Sequence, residues 1–176
     1  LMHYAKDLPG GRQWWFGFEP ENNLGIDRPL DRTRSPLADY LGGDIHEGLA
    51  CPEFPEGDER FVAKFQIRSA HFGYNGGLVW PFPVGRLPHS LDEIPQPTSV
   101  FAFADAVHQD FGQWFYEPHT ISYRREGKTT GTGHYRHDER ANIAFLDGHV
   151  SAQDTLGGET VWDHIDGGDV MNLDTN

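Results

Sequence analysis

Ten histidines and 27 acidic residues in a chain of 176 make metal ligation the first chemistry to weigh. His134, His137 and His149 lie close in sequence, and Asp105 and His108 would join them if the strand carrying Asp105 ran beside the segment carrying His137. Imidazole nitrogens with a carboxylate suit zinc. The spacing argues the other way, because no HExxH pair is present and three ligands would have to come from separate loops. His137 is better read as structural, its ring bonding the backbone around Asp147 and pinning a hairpin. A transition-metal site ranks second and general acid–base work third.

A harder cation has its own candidates. Asp163, Asp166 and Asp169 surround Gly167-Gly168. Calcium favours such oxygen-rich, glycine-containing loops, although EF-hand spacing and its terminal Glu are absent. If any metal binds, calcium on these three residues is the expectation; a solvated acidic terminus is the plainer reading. Cys51, the single cysteine, excludes an intrachain disulfide and a Cys-rich zinc site. It precedes Pro52 and reads as a small buried apolar residue. Trp14, Trp15, Phe16, Phe18, Trp80, Phe82, Trp114, Phe115 and Tyr116 could form a sugar-stacking platform, but clustered aromatics are more often core or subunit contacts. GxSxG, P-loop and dinucleotide glycine patterns are missing, and no nucleophile, base and orienting group can be named together. No catalytic activity and no organic cofactor are therefore expected.

The elements that must position these groups centre on the stretch RHDERANIAFLDGHVSA. Asp147-Gly148 between two alternating apolar runs signals a hairpin with a two-residue type I′ turn, which needs positive φ at both central residues. That turn would pair Leu146 with His149, Phe145 with Val150 and Ile143 with Ala152, burying Ile143, Phe145, Val150 and Ala152 on one face. Upstream, residues 1–7 read as helical, ended by Pro9-Gly10-Gly11. An irregular aromatic-rich connection follows. Ser35, Pro36 and Gly42 bracket a short helix as N-cap, first residue and C′. Residues 60–70 alternate imperfectly and suggest a strand. Ser90-Leu91-Asp92-Glu93 has capping-box spacing for one helical turn. Residues 99–104 are apolar enough for a central strand, 120–125 should pair nearby, and 159–162 would add a short strand.

Several of these pieces together resemble the prepilin-type processing-associated proteins with an H-X9-DG C-terminal signature, a pseudopilin-like family. His137, Asn142, Phe145, Asp147, Gly148, His149 and Val150 stand where that signature has them. Leu1-Met2-His3-Tyr4-Ala5-Lys6-Asp7 resembles the end of the N-terminal pilin helix, and Asp39-Tyr40-Leu41-Gly42 followed by Cys51-Pro52 resembles the PYLG and CP pieces. Phe72-Gly73-Tyr74-Asn75 resembles YGYN, and the segment from Pro97 to Asp105 resembles the strand that ends in Ala-Asp. The resemblance spans essentially the whole chain. It implies a non-enzymatic subunit of a secretion system or type IV pilus-like filament, whose partners are other pilin-like subunits and the assembly machinery. It implies an inner-membrane anchor in the full-length form and a domain displayed in the periplasm or outside the cell. Calcium carried in a C-terminal loop by the major pseudopilins of type II secretion adds weight to the acidic tail.

The family begins with a peptidase site and a long apolar helix. This chain contains no run of eighteen apolar residues, so it reads as a soluble piece touching a membrane only through a helix missing here. A formal net charge of −13 argues against nucleic-acid and anionic-membrane binding. The expected architecture is a single α+β pilin-like domain over residues 1–176. In it a helical remnant (1–7) covers an antiparallel sheet whose core spans 98–155. Two other functional classes stay open: a carbohydrate-binding module using exposed aromatics, and a metal-dependent hydrolase built on His137, Asp105 and His149.

If the acidic tail takes calcium, millimolar calcium raises the thermal midpoint and chelator lowers it, since a ligand specific for the native state stabilises it by mass action. Changing Asp163, Asp166 and Asp169 to Asn abolishes the shift. A melting curve indifferent to calcium removes the assignment.

Overall fold

Pro9-Gly10 supplies the two central residues of a tight turn, and Ala5–Leu8 (β1) folds back through it onto Gly11–Trp14 (β2) with Leu8 opposite Gly11. In this computed structural model the described residues are 5–21, 26–45, 49–54, 57–59, 61–67, 69–75, 90–94, 96–110, 113–115, 117, 120–121 and 132–154. The expected helical remnant is thus corrected where it is described: residues 5–8 are a strand, and Asp7 pairs with Arg12 across the hairpin at 2.7 Å. A Pro-Gly pair ends a helix and turns a hairpin equally well, and cross-strand pairing decides between them here.

β2 turns again through Trp15-Phe16 into Gly17–Pro20 (β3), completing a three-stranded antiparallel sheet. The stretch expected to be irregular is therefore a second hairpin with an aromatic tip. Gly17 is required there, because a Cβ would sit 2.9 Å from the Leu30 side chain and 3.0 Å from the Asp31 carbonyl oxygen. Trp14, Trp15 and Phe16 are all buried and pack with Leu30, Ile45, Phe65, Tyr74 and Val100. Beneath them, Glu19 is fully buried, accepting from Trp14 Nε1 and from Arg28, each at 2.8 Å.

The larger sheet is organised around Phe101–Asp110 (β6). Phe72–Asn75 (β5) pairs along one edge of β6, and Arg140–Phe145 (β10) along the other. Further along, Gln113–Phe115 (β7) and Thr132–Gly133 (β9) also pair with it. Val150–Asp154 (β11) forms an outer edge beyond β10. Thr120–Ile121 (β8) adds in parallel to β5, and Phe61–Val62 (β4) in parallel to β7. The expected central strand at 99–104 is present from Phe101 and continues to Asp110. Of the strand expected at 60–70 only β4 forms among the described residues. The helical segments described are 3-10 turns, such as Arg32–Arg34, Ala38–Tyr40 and Leu91–Glu93. The short helix after Ser35 is reduced to one of them, with Ser35 Oγ accepting from Leu37 N–H, and the turn at Ser90 forms as expected.

The α+β pilin-like expectation is corrected accordingly. Among the described residues the architecture is predominantly β, with no helix packed on a sheet, and no helix is long and apolar enough to cross a membrane. The aromatic tip of the β2–β3 hairpin takes the covering role expected of a helix: Trp15 meets Phe103 of β6 edge-on, with ring centroids 5.1 Å apart.

The hairpin at Asp147-Gly148 forms, with a three-residue loop. Asn142 faces Ala152, Ile143 faces Ser151 and Ala144 faces Val150. Phe145 N–H donates to the His149 carbonyl at 2.9 Å, and Gly148 N–H closes back on Phe145 O at 3.0 Å. Gly148 has φ +94° while Asp147 stays out of the positive region. The loop is a type I turn followed by one left-handed residue, so only the glycine needs positive φ. A shift of one residue exchanges the faces of the second strand. Ile143 and Phe145 keep the inner face, whereas Val150 is 66 % exposed and Ala152 lies on the outer face with it. The segments 120–125 beyond residue 121, the strand expected at 159–162 and the calcium candidates Asp163, Asp166 and Asp169 lie outside the described residues.

A second buried acid is linked to the first through Lys64, whose carbonyl accepts from Arg28 N–H at 2.9 Å. Glu117 accepts from Lys64 N–H at 2.9 Å, and burial pushes its carboxyl up to about 7 from an ordinary 4.5. A raised folded-state value means that the folded chain holds the proton more tightly. The associated stability is complete below about 4.5 and is lost as pH rises through about 7. Denaturant titrations between pH 5 and 8 on the wild type and Glu117→Gln test this: the variant loses most of the decline, and parallel profiles contradict the assignment.

Candidate functional site

Asp105 occupies the middle of β6 and is fully buried. Residues 103, 105 and 107 share one face of this strand by alternation, the face on which Phe103 meets the aromatic tip. A carboxylate in that position requires partners for both oxygens. Oδ1 accepts from an Arg136 guanidinium nitrogen at 2.5 Å, and Oδ2 accepts the Asn142 backbone N–H at 2.7 Å. The Asp105 carbonyl accepts from His134 N–H at 2.9 Å. Arg136 also donates to the His71 carbonyl at 2.6 Å and lies over the Phe54 ring at 5.1 Å. One carboxylate thus ties together β6, β10 and the segment between β9 and β10.

His137 completes the group. Its Nε2 lies 3.2 Å from Asp105 Oδ2 and 3.2 Å from Cys51 Sγ. Cys51 is held by a bond from its backbone N–H to His71 Nδ1 at 3.0 Å, and His71 stacks against Phe54. The three ligand-capable atoms of Cys51, Asp105 and His137 lie within 4.8 Å of one another. A protonated Nε2 points its hydrogen between the carboxylate and the sulfur, the tautomer that leaves no lone pair facing Asp105.

The backbone beyond His137 is strained. Asp138 and Glu139 have φ +51° and +63°, and Arg140 N–H donates to the His137 carbonyl at 3.0 Å while His137 N–H donates to the Arg140 carbonyl at the same distance. This is a type I′ turn without glycine or asparagine, at a cost of about 1–2 kcal/mol per left-handed residue. It fixes where the ring of His137 enters. His137 also lines a surface depression of about 480 Å³ shared with Asp138, Glu139, Arg140 and Asp154.

Of the five residues weighed as metal ligands, the structure brings Asp105, His137 and His134 into one neighbourhood. His108, also buried, lies near Phe115 instead, their rings 6.2 Å apart. His149 belongs to the hairpin tip: its ring stacks on Phe145 at 4.3 Å and its Nδ1 lies 2.6 Å from Asp147 Oδ1. The bond from the His149 backbone N–H holds the Asp147 carboxyl below its usual range, helped by the His149 side chain. So Asp147 pairs with His149, and His137 reaches Asp105 and Cys51 instead of the turn. The sequence reading placed the His137 bond at the backbone around Asp147; the structure places its ring against Asp105 and Cys51. Asn142 contributes its backbone, Phe145 its packing, and Gly148 its positive φ.

Cys51 was the residue missed. As a lone thiol 86 positions from His137 it carries no local signal. The hydrolase built on His137, Asp105 and His149 loses His149. A thiol–imidazole–carboxylate relay is also excluded by geometry, because nucleophile and orienting acid must use opposite ring nitrogens and here both face Nε2. The sugar platform loses Trp14, Trp15, Phe16 and Phe18, all buried, and Phe115 is buried as well. Trp80, Phe82 and Tyr116 lie outside the described residues.

No protein-family model, curated protein or solved structure matches the chain.

His137→Ala should lower stability by about 1–3 kcal/mol through the loss of a buried polar partner. Gly148→Val should cost about 1 kcal/mol or more for a side chain at positive φ. Since the two residues share no side-chain partner, the double variant should equal the sum within about 0.5 kcal/mol. Chemical denaturation of the four proteins checks this, and a double variant well short of the sum would restore a single His137–Gly148 unit.

Proposed function

We propose that this chain is a non-enzymatic, pseudopilin-like subunit of a secretion system or type IV pilus-like filament. A segment upstream of Leu1 holds it at the inner membrane, and the domain stands in the periplasm or outside the cell. Its partners are other pilin-like subunits and the assembly machinery.

One observation carries the reading. Cys51, Asp105 and His137 belong to three separate pieces of the family pattern (the CP, the strand ending in Ala-Asp, and the H-X9-DG signature), and they meet within a single cluster. Residues chosen by pattern from distant parts of a chain meet in this way when the pattern describes an architectural joint. The reading rests on that joint and not on a helix-covered sheet. The net charge of −13 is consistent with protein partners in place of nucleic acid.

The coding sequence upstream of Leu1 tests the proposal. A Gly-Phe-Thr-Leu-Ile-Glu-like peptidase site followed by an apolar helix of about 20 residues is expected. A reading frame that opens without such a segment overturns it.

A further inference from the structure

Three donor atoms of different chemistry converge on one point: Cys51 Sγ, His137 Nε2 and Asp105 Oδ2. We propose that this point is a binding site for a borderline-soft divalent ion of the zinc class. The inference stands whether or not the chain is a filament subunit.

The separations fit. Zinc bonds of about 2.3 Å to sulfur and about 2.0–2.1 Å to nitrogen and oxygen place tetrahedral ligands roughly 3.5 Å apart. His137 Nε2 lies 3.2 Å from both other donors, and all three fall within 4.8 Å. Small movements of the His137 ring, whose side chain is 25 % exposed, would open the position. The ion takes the Nε2 lone pair of the neutral ring, whose single proton then sits on Nδ1, and expels the thiol proton to solvent, so that neutral imidazole, thiolate and carboxylate face the ion.

The surroundings are those of a supported ligand set. Arg136 and the Asn142 N–H orient the Asp105 carboxylate, and the His71 ring holds the Cys51 backbone. Such outer contacts fix ligand geometry. The type I′ turn at Asp138-Glu139 spends backbone strain to place His137, and strain of this kind concentrates at functional sites. Asp138, Glu139 and Asp154 outnumber Arg140 around the depression that His137 lines, which raises the local concentration of cations. With three protein donors, the fourth position falls to water or to an outside ligand. Sulfur and imidazole exclude calcium as the preferred ion.

Cobalt(II) titration of the purified chain, followed by absorption, is the test. Because the chain has one cysteine, a thiolate-to-cobalt charge-transfer band can come only from Cys51. The expected result is a saturable band at one equivalent, competed away by zinc and not by calcium. His137→Ala and His137→Gln should each weaken cobalt binding by more than about a hundredfold, beyond the roughly 10–100-fold effect of losing an outer-shell contact. Cobalt bound without the band would place the ion on surface carboxylates and overturn the proposal. So would no binding at all, or a band of undiminished affinity in both histidine variants.

Discussion

The buried pair of Asp105 and Arg136 is the constraint to which the rest of the larger sheet conforms. Their side chains are 0 % and 2 % exposed. Taking two charges out of water costs several kcal/mol per ion, and their attraction offsets this only when geometry is good and the remaining donors and acceptors are satisfied. Here the second carboxylate oxygen takes the Asn142 N–H and Arg136 takes the His71 carbonyl. Losing either partner would strand the other charge. The pair therefore specifies which segment crosses the centre of β6, in addition to holding it there.

Two kinds of packing share that face of the sheet. At one end the aromatic hairpin tip is dry, stacked Trp14 and Phe16 beside the edge-on Trp15–Phe103 contact. Further along, Phe54 packs on the polar group, with His71 against its ring and Arg136 over it. An apolar cover lowers the local dielectric and strengthens each bond beneath it. Trp14, Trp15 and Phe16, weighed for a sugar platform, are core residues of the dry end.

Much of the larger sheet could be read from alternation. Ile143 and Phe145 on an inner face follow from period-2 alternation, and the strand before Asp105 from a short continuous apolar run; neither needs tertiary information. The loop was off by one residue because Asp-Gly serves two hairpin geometries, and only one of them asks Asp147 for positive φ. The type I′ turn was invisible, since Asp138 suits it but Glu139 stands where such a turn usually has glycine. At the N-terminus seven residues are too few for a helical period to beat strand pairing, and Pro9-Gly10 fits either outcome. Cys51 escaped for another reason: its role exists only through contacts made far along the chain.

That last separation has a kinetic meaning. The hairpins β1–β2, β2–β3 and β10–β11 join neighbours in sequence, and such closures take microseconds. Cys51 and His137 are 86 residues apart, and Arg136 is 65 from His71. Contacts of that span reward the chain only after the entropy of a long loop has been spent, so topology assigns them to the slow part of folding. The cluster is a late checkpoint: it can assemble only in molecules whose β5, β6 and β10 have already found one another in register.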